Sequence, residues 1–480
     1  MQRRLSAPDI DFDAIRGELG VSEDYGDAAL AEAAAATDRF GDEREDRTDL
    51  PFVTIDPPGS MDLDQAVHLA ADADGYTVHY AIADVAALMQ PEGALDQESR
   101  RRGTTVYFPD GSVPLHPRAL SEGAGSLLPE QVRPCVLWTI RVTREGAVTD
   151  VDVRRARVRS VARLDYAGVA TDAAAGRLHP SITALPEFGE LRRRVALAGG
   201  AIELDLPDQE VVRDVDGRWV LQIAPRTPAD LWNSQLSLLT GRCAGEIMRD
   251  AGIGLLRTLP SAPAQAVADL RATARALGVG WPDDQTPGQF LAGLPPDMPA
   301  TLALMSHAAG LMRGAGYLAL GDGVAPPAAD EMVHAAIGGV YAHVTAPLRR
   351  LGDRFATEVC LAVTAGQPVP DWVIRALPTL PKILRAADSL GASADRESID
   401  LTEAVVLEDR VGERFDAVVL AQADGKRPAR IFIEEPAVLA SCDGTPEQGT
   451  RLPVTLTAAD PVERKVSFAP APPVSYTHLT

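Results

Sequence analysis

The part of the chain that follows residue 50 alternates apolar and polar positions, which is the pattern of strands that bury one face. The predicted strands cover residues 52–55, 66–69, 77–81, 136–142 and 148–158. Asp74-Gly75 and Glu145-Gly146 lie between neighbouring segments and favour tight hairpin turns. The pattern therefore predicts a mostly β region between residues 50 and 160.

From residue 226 onward, apolar positions recur every three or four residues, which is the spacing of an amphipathic helix. The predicted helices cover residues 230–249, 264–277 and 347–363. Between residues 411 and 470 the chain returns to a β pattern, with predicted strands at 414–420, 429–433, 451–456 and 462–468. This order predicts an α+β fold, in which helices flank a mixed β-sheet and a small β unit follows.

The segment before the first strand is short and acidic. It predicts two helices, at residues 13–19 and 28–40, and a charged linker at 42–49. We expect residues 1–48 to form a small helical unit, similar in size to a helix-turn-helix, that packs on the main domain.

The net charge of −22 at first argues against a nucleic-acid partner, because phosphate binding requires cations. Residues 1–49 account for −8 of this charge, with 14 acids and 6 arginines. Arginines cluster instead at 100–102, 154–163 and 192–194. A basic channel inside an acidic shell is therefore compatible with the composition.

Sequence features also limit the location of the protein. No run approaches 18 apolar residues, and the amino-terminal residues lead into acidic sequence rather than a signal core. The four cysteines lie far apart, which disfavours a zinc site or a disulfide framework. We expect a cytoplasmic protein with no membrane partner.

Three carboxylates, Asp56, Asp62 and Asp64, fall within nine residues on a loop between two predicted strands, divided by a Pro-Pro-Gly turn. Clustered carboxylates repel one another and require a cation, and oxygen ligands without nearby His or Cys favour Mg²⁺ or Mn²⁺. A solvated acidic turn is the alternative interpretation of this spacing alone.

The surrounding sequence resembles the RNase II/RNase R (RNB) family of 3′→5′ exoribonucleases. The acidic loop resembles the family motif T-I-D-x5-D-L-D-D-A, and residues 341–350, YAHVTAPLRR, resemble Y-x-H-F-T-S-P-I-R-R. Residues 102–109, RGTTVYFP, add a third block in the same order. The resemblance implies an RNB-type catalytic domain at 49–405 and an OB-fold RNA-binding barrel at 406–470. The remaining residues, 471–480, are expected to form a tail.

The resemblance also implies roles for individual residues. Asp56, Asp62 and Asp64 match metal-site positions of the family, and Arg349 matches the arginine that neutralises the scissile phosphate. Gln65 stands where the family has a fourth aspartate, so we expect it to be a weaker metal ligand. Two metal ions, Mg²⁺ or alternatively Mn²⁺, can activate water and stabilise the leaving oxygen.

Four further residues are implied to contact RNA. Tyr107 matches the tyrosine that stacks on the terminal nucleotide, and Asp395 aligns with a glutamate that contacts the terminal ribose. Arg350 binds either the RNA backbone or a structural acid, and His343 contacts phosphate or serves as a structural histidine.

The sequence therefore predicts a Mg²⁺-dependent, monomeric 3′→5′ exoribonuclease that releases nucleoside 5′-monophosphates from single-stranded RNA. Two alternatives remain open. The first is a catalytically weak or silent RNA-binding member of the same family, which Gln65 favours. The second is a metal phosphodiesterase for small nucleotides, which the arginine clusters and the barrel-like end disfavour.

Overall fold

The computed structural model describes residues 5–224, 226–296, 298–321 and 327–472. Of the predicted tail at 471–480, all but the first two residues lie outside these ranges. Within them, no helix combines the length and the apolar character needed to cross a membrane. The monomeric state and the cytoplasmic location stay predictions.

A mixed, curled sheet forms the centre of the large domain, as predicted. Its strands follow the order β1-β8-β2-β3-β4-β7, and β7 also pairs with β8, so that the sheet curls back on itself. Strand β8 is parallel to β1 and β2, whereas the other pairs are antiparallel. With the small hairpin β5–β6, the strands are β1 Glu45–Asp46, β2 Phe52–Ile55, β3 Gln65–Ala71, β4 Gly75–Ala83, β5 Val106–Phe108, β6 Gly111–Val113, β7 Val132–Thr143 and β8 Val148–Leu164.

Helices pack around this sheet and bury its apolar face. Helix α6, which spans 24 residues, begins with a capping box between Thr227 and Asp230 and ends at Gly252, which adopts φ 68°. Side chains of α6 pack with Trp138 of β7 and Phe355 of α10 in one large buried cluster. The helices are α1 Asp13–Leu19, α2 Asp27–Ala34, α3 Ala94–Arg102, α4 Tyr166–Ala174, α5 Leu185–Ala198, α6 Pro228–Ala251, α7 Ala264–Ala276, α8 Pro287–Ala292, α9 Pro299–Ala308, α10 Leu351–Thr364, α11 Asp371–Ala376 and α12 Leu380–Leu407.

The C-terminal strands form a closed barrel in the order β15-β16-β17-β19-β18, which confirms the predicted OB-like unit. The sequence pattern missed β17, a short strand after Glu434-Glu435-Pro436. Phe432 and Phe468 are buried, and Phe415 packs edge-on against Phe468, so these rings serve the barrel core. The remaining strands are β9 Gln209–Arg213, β10 Trp219–Ile223, β11 Gly254–Thr258, β12 Gly316–Leu320, β13 Val333–His334, β14 Gly339–Val340, β15 Arg414–Ala421, β16 Ala429–Ile433, β17 Val438–Cys442, β18 Arg451–Asp460 and β19 Lys465–Pro470.

The helix predicted at residues 28–40 ends at Ala34, and two further sequence predictions are wrong in detail. The stretch 42–49 is not a linker, because β1 pairs with β8 and the buried Arg44 guanidinium bonds to Asp38 and Asp84. The helix predicted at 347–363 begins only at Leu351, so Arg349 lies in a turn before the helix. In both places polar contacts with distant residues decide the structure, and apolar spacing cannot report those contacts.

Candidate active site

The acidic loop connects β2 to β3 and places its carboxylates at one end of the sheet. Gly59 adopts φ 87°, a conformation that favours glycine, and allows the chain to turn there. The far side of the loop is fixed by Ser126, whose hydroxyl donates to Met61 O (2.6 Å) and accepts from Leu63 N–H (2.9 Å). Asp64 follows directly and is 4% exposed. The Ser126 hydroxyl therefore holds the backbone that leads into Asp64.

Residues 345–350, here called the arginine turn, meet the acidic loop at Asp64. The N–H of Leu348 donates to Asp64 Oδ1 (2.8 Å), and Arg349 Nε lies 3.3 Å from Asp64 Oδ2. The Arg349 side chain is still 46% exposed. The structure thus joins two motifs that are 285 positions apart, and leaves donors of the guanidinium open to solvent.

The segment before β5 fixes the arginine turn from the other side. Thr105 N–H donates to Arg349 O (3.0 Å), and Leu351 N–H donates to Gly103 O (3.1 Å). This pairing places Tyr107 beside Arg349. The Tyr107 residue is 51% exposed, while loss of solvent around the hydroxyl raises its pKa to about 12. An exposed, neutral phenol ring next to a cation is suited to stacking on a nucleic-acid base.

Burial raises the pKa of each of the three carboxyl groups. The pKa of Asp64 rises to about 7, although the charge of Arg349 opposes the shift. The pKa of Asp56 rises to about 6, and that of Asp62 is also raised. Asp56 Oδ2 is buried and has no hydrogen-bond partner among the described residues. The site therefore concentrates more negative charge than its protein neighbours compensate.

A hard divalent cation fits this donor set in chemical type, because the free acceptors are carboxylate oxygens and Asp56 Oδ2 is unpartnered. Asp56, Asp62 and Asp64 are the residues that would hold it. Their present geometry is not yet that of a closed site: in the described ranges, no three His, Cys, Asp or Glu side chains converge as a metal site would require.

Gln65 is placed differently from the three aspartates. Its Nε2 donates to Thr345 O (2.7 Å), and its Oε1 accepts from the Tyr80 hydroxyl (2.5 Å). Both ends of the amide are therefore engaged by protein. These contacts do not support the prediction that Gln65 is a metal ligand, because its carbonyl oxygen is already directed at a donor.

The other predicted RNA contacts differ in their surroundings. Arg350 forms an ion pair with Asp353 (2.9 Å), which supports the structural interpretation of that residue. His343 Nδ1 bonds to the Tyr317 hydroxyl (3.0 Å), and burial lowers the pKa of His343 well below its usual range. Asp395 lies on α12 with its pKa raised by burial and by Asp208. Its role at the terminal ribose stays a prediction.

Sequence reasoning missed three groups that organise the site. Asp353 accepts from Ala346 N–H (2.7 Å) as well as from Arg350, and its i,i+3 spacing from Arg350 is a signal that could have been used. The Leu348 N–H is a backbone group, which sequence cannot assign. The sequence around Tyr80 predicted only a strand. Its bond to Gln65 could not be predicted, because the two residues lie on neighbouring strands.

A mixed sheet with an acidic loop and an arginine turn, followed by a closed five-stranded barrel, defines a two-part architecture. The RNB domain family model matches residues 44–363, well over half of the chain, and the model for the RNase II-type exonuclease C-terminal S1 domain matches residues 413–471. The chain belongs to the RNB family, as the sequence motifs predicted.

Curated relatives align over part of this region. Ribonuclease R of Chlamydia muridarum is 32% identical over 194 residues, which is 39% of this chain and 28% of that protein. Exoribonuclease 2 of Vibrio cholerae serotype O1 is 30% identical over 241 residues, which is 47% of this chain and 35% of that protein. The alignments thus span about a third of these relatives' length.

Solved structures show the same fold over nearly the whole chain. RNase R of Mycoplasma genitalium, in complex with ribose-methylated single-stranded RNA, matches with a TM-score of 0.84 at 19% identity, covering 96% of this chain and 77% of that one. Yeast Ssd1, described as a pseudonuclease, matches with a TM-score of 0.70 at 15% identity, covering 90% and 55%. The fold therefore occurs in a nuclease and in a pseudonuclease alike.

Proposed function

We propose that this protein is a 3′→5′ exoribonuclease that hydrolyses single-stranded RNA and releases nucleoside 5′-monophosphates. The observation that carries the proposal is the contact of Asp64 with Arg349. It places a half-exposed guanidinium against the most buried carboxylate of the acidic loop, beside the exposed ring of Tyr107. A group that binds phosphate, a group that attracts cations and a group that stacks on bases thus occur together.

The guanidinium of Arg349 supplies the positive charge that phosphodiester hydrolysis needs where charge develops on the phosphate. Asp64 orients this guanidinium, and the Leu348 N–H holds Asp64 in turn. Bound Mg²⁺, or Mn²⁺ in its place, would supply an activated water and stabilise the leaving oxygen. Tyr107 would hold the terminal base, so that the last phosphodiester lies at Arg349.

The test is incubation of a 5′-labelled single-stranded RNA with the purified protein, in Mg²⁺, in Mn²⁺ and in EDTA. We expect a ladder that shortens from the 3′ end and monophosphate products, only with a divalent cation. Asp64→Asn should remove this activity, whereas Asp74→Asn, an exposed acid in the β3–β4 turn, should not. Cleavage that persists in EDTA would contradict the metal-assisted mechanism.

A second candidate function is RNA binding without cleavage. The observation that favours it is Gln65, since an amide whose nitrogen and oxygen both bond to protein stands where the family motif provides a carboxylate. The same assay separates the two functions. A silent member would bind labelled RNA in gel-shift experiments, and the RNA would remain intact in both metals.

A further inference from the structure

The amide of Gln65 forms the centre of a small, partly buried polar network beside the acidic loop. Besides its bonds to Thr345 O and the Tyr80 hydroxyl, Gln65 Oε1 lies 3.5 Å from Ser237 Oγ of α6. The Tyr80 and Ser237 hydroxyls lie 2.9 Å apart. One side chain on β3 therefore connects β4, α6 and the first residue of the arginine turn.

Gln65 and its neighbour Asp64 bind the arginine turn at two points. Asp64 accepts from the N–H of Leu348, and Gln65 donates to the carbonyl of Thr345, three residues earlier. A carboxylate at position 65 could accept from Tyr80, but it could not donate to a carbonyl when ionised. The contact with Thr345 thus requires a side chain that both donates and accepts, and glutamine provides this.

We propose that Gln65 is a positioning residue for Arg349 and does not ligate a metal. It fixes Thr345 O, which sets the start of the arginine turn, and through the turn it sets the direction of the Arg349 guanidinium. The consequence for catalysis rests on the proposed function, whereas the consequence for the turn does not. If this is so, glutamine in place of the family's aspartate gives the arginine turn one additional hydrogen bond, to Thr345 O.

Three other contacts limit how far the turn can move without Gln65. Asp353 accepts from Ala346 N–H (2.7 Å), and Thr105 N–H donates to Arg349 O (3.0 Å). Asp64 still holds Leu348. Loss of the Gln65 amide should therefore loosen the first half of the turn and leave the fold intact.

The test compares Gln65→Met, which has similar length and no hydrogen-bonding amide, with Gln97→Met, the same change at an exposed glutamine of α3. Amide hydrogen exchange is measured in the metal-free protein at Ala346 and Leu348. We expect at least about fivefold faster exchange in Gln65→Met, as for loss of one partly buried hydrogen bond, and no change in Gln97→Met. Unchanged exchange at both amides would overturn the proposal.

A Mn²⁺ titration followed by electron paramagnetic resonance then separates positioning from ligation. If Gln65 is a positioning residue, the Mn²⁺ affinity of Gln65→Met should lie within about twofold of that of the parent. Its kcat should be about tenfold lower and its KM unchanged, since the loss of one hydrogen bond lowers a rate by about that factor. A clear loss of Mn²⁺ affinity with unchanged exchange would identify Gln65 as a ligand instead.

Tyr80→Phe provides a second variant if Gln65→Met does not fold. It removes the donor to Gln65 Oε1 and retains the bond to Thr345, so exchange at Leu348 should accelerate less than in Gln65→Met. No acceleration in a folded Tyr80→Phe protein would count against the network. If the parent degrades no RNA, the proposed function fails, and the exchange data still decide the role of Gln65.

Discussion

Two arginine–aspartate pairs flank the start of α10, and they are built in opposite ways. Arg354 and Asp96 are almost fully buried, and Asp96 also accepts from Arg100 and from the N–H of Glu92. Arg349 is half exposed, and it reaches Asp64 through one contact of 3.3 Å. Among the described residues, four hydrogen bonds fill the acceptor sites of the Asp96 carboxylate, whereas Asp64 accepts one hydrogen bond and one looser ion-pair contact.

The acidities of the two aspartates follow from this difference. Burial alone would raise the pKa of Asp96, but the hydrogen bonds and charges of Arg100 and Arg354 outweigh it and lower that pKa to about 2. Burial dominates at Asp64 and raises its pKa to about 7. A saturated pair stabilises a structure, while an unsaturated pair retains the capacity to bind a cation or a phosphate.

The largest effect should come from breaking the saturated pair. Asp96→Asn leaves the Arg354 guanidinium buried without its counter-charge, which typically costs about 3–5 kcal/mol. We expect the free energy of unfolding in urea to fall by this amount. Asp74→Asn is the control for removal of an acid from the surface. A loss below about 1 kcal/mol would show that Ser99 and the nearby rings are sufficient to hold Arg354.

The unsaturated pair should affect activity and leave stability nearly unchanged. Arg349→Ala removes a preorganised positive charge from the site, and the loss of one such group commonly lowers kcat by about 10²–10³. The free energy of unfolding should change little, because the side chain is 46% exposed and forms one loose ion pair. Arg154→Ala on β8 is the matched control. Retained turnover in Arg349→Ala would remove this residue from the mechanism.

The two pairs should also respond to pH with opposite sign. Asp96 has a folded pKa of about 2 against an ordinary value of 3.8, so it stabilises the fold above pH 4 and loses about 2 kcal/mol as pH falls towards 2. Asp64 has a raised pKa, so the folded state binds the extra proton, and this contribution is lost as pH rises from about 4 through about 7.

Unfolding free energies in EDTA, measured between about pH 3 and pH 8, test this contrast. The difference between parent and Asp96→Asn should shrink at the acidic end. The difference between parent and Asp64→Asn should instead change between about pH 4 and pH 7, with the variant gaining relative stability as pH rises. Parallel curves for the two variants would mean that both aspartates are equally well compensated.

The sequence predicted best the elements that depend on contacts between residues close together in the chain. Local patterns were sufficient for α1, for the β3–β4 hairpin and for most of the barrel, because apolar period and turn residues determine these elements. The motifs also assigned Asp64 and Arg349 to one predicted active site, as a metal ligand and as a phosphate contact. They could not show that Leu348 N–H and Gln65 connect the two segments, since those bonds depend on how β3 meets a turn about 280 residues later.

The smallest effect is expected for Tyr107. Its substitution tests whether the 3′ end of an RNA strand binds at the solvent-exposed side of Arg349. The ring is exposed at 51%, so Tyr107→Ala should affect folding little, and a lost stacking contact costs about 1–3 kcal/mol per base. Long RNA has many other phosphate contacts, and its turnover should remain close to that of the parent. The final few nucleotides lack such contacts, so the variant should stop at longer limit oligonucleotides, resolved on a sequencing gel.

Tyr107→Phe retains the ring and loses only the hydroxyl near Arg349, and it should stop where the parent does. If Tyr107→Ala and the parent stop at the same length, the exposed ring does not hold the terminal base, and the open side of Arg349 binds the strand by charge alone.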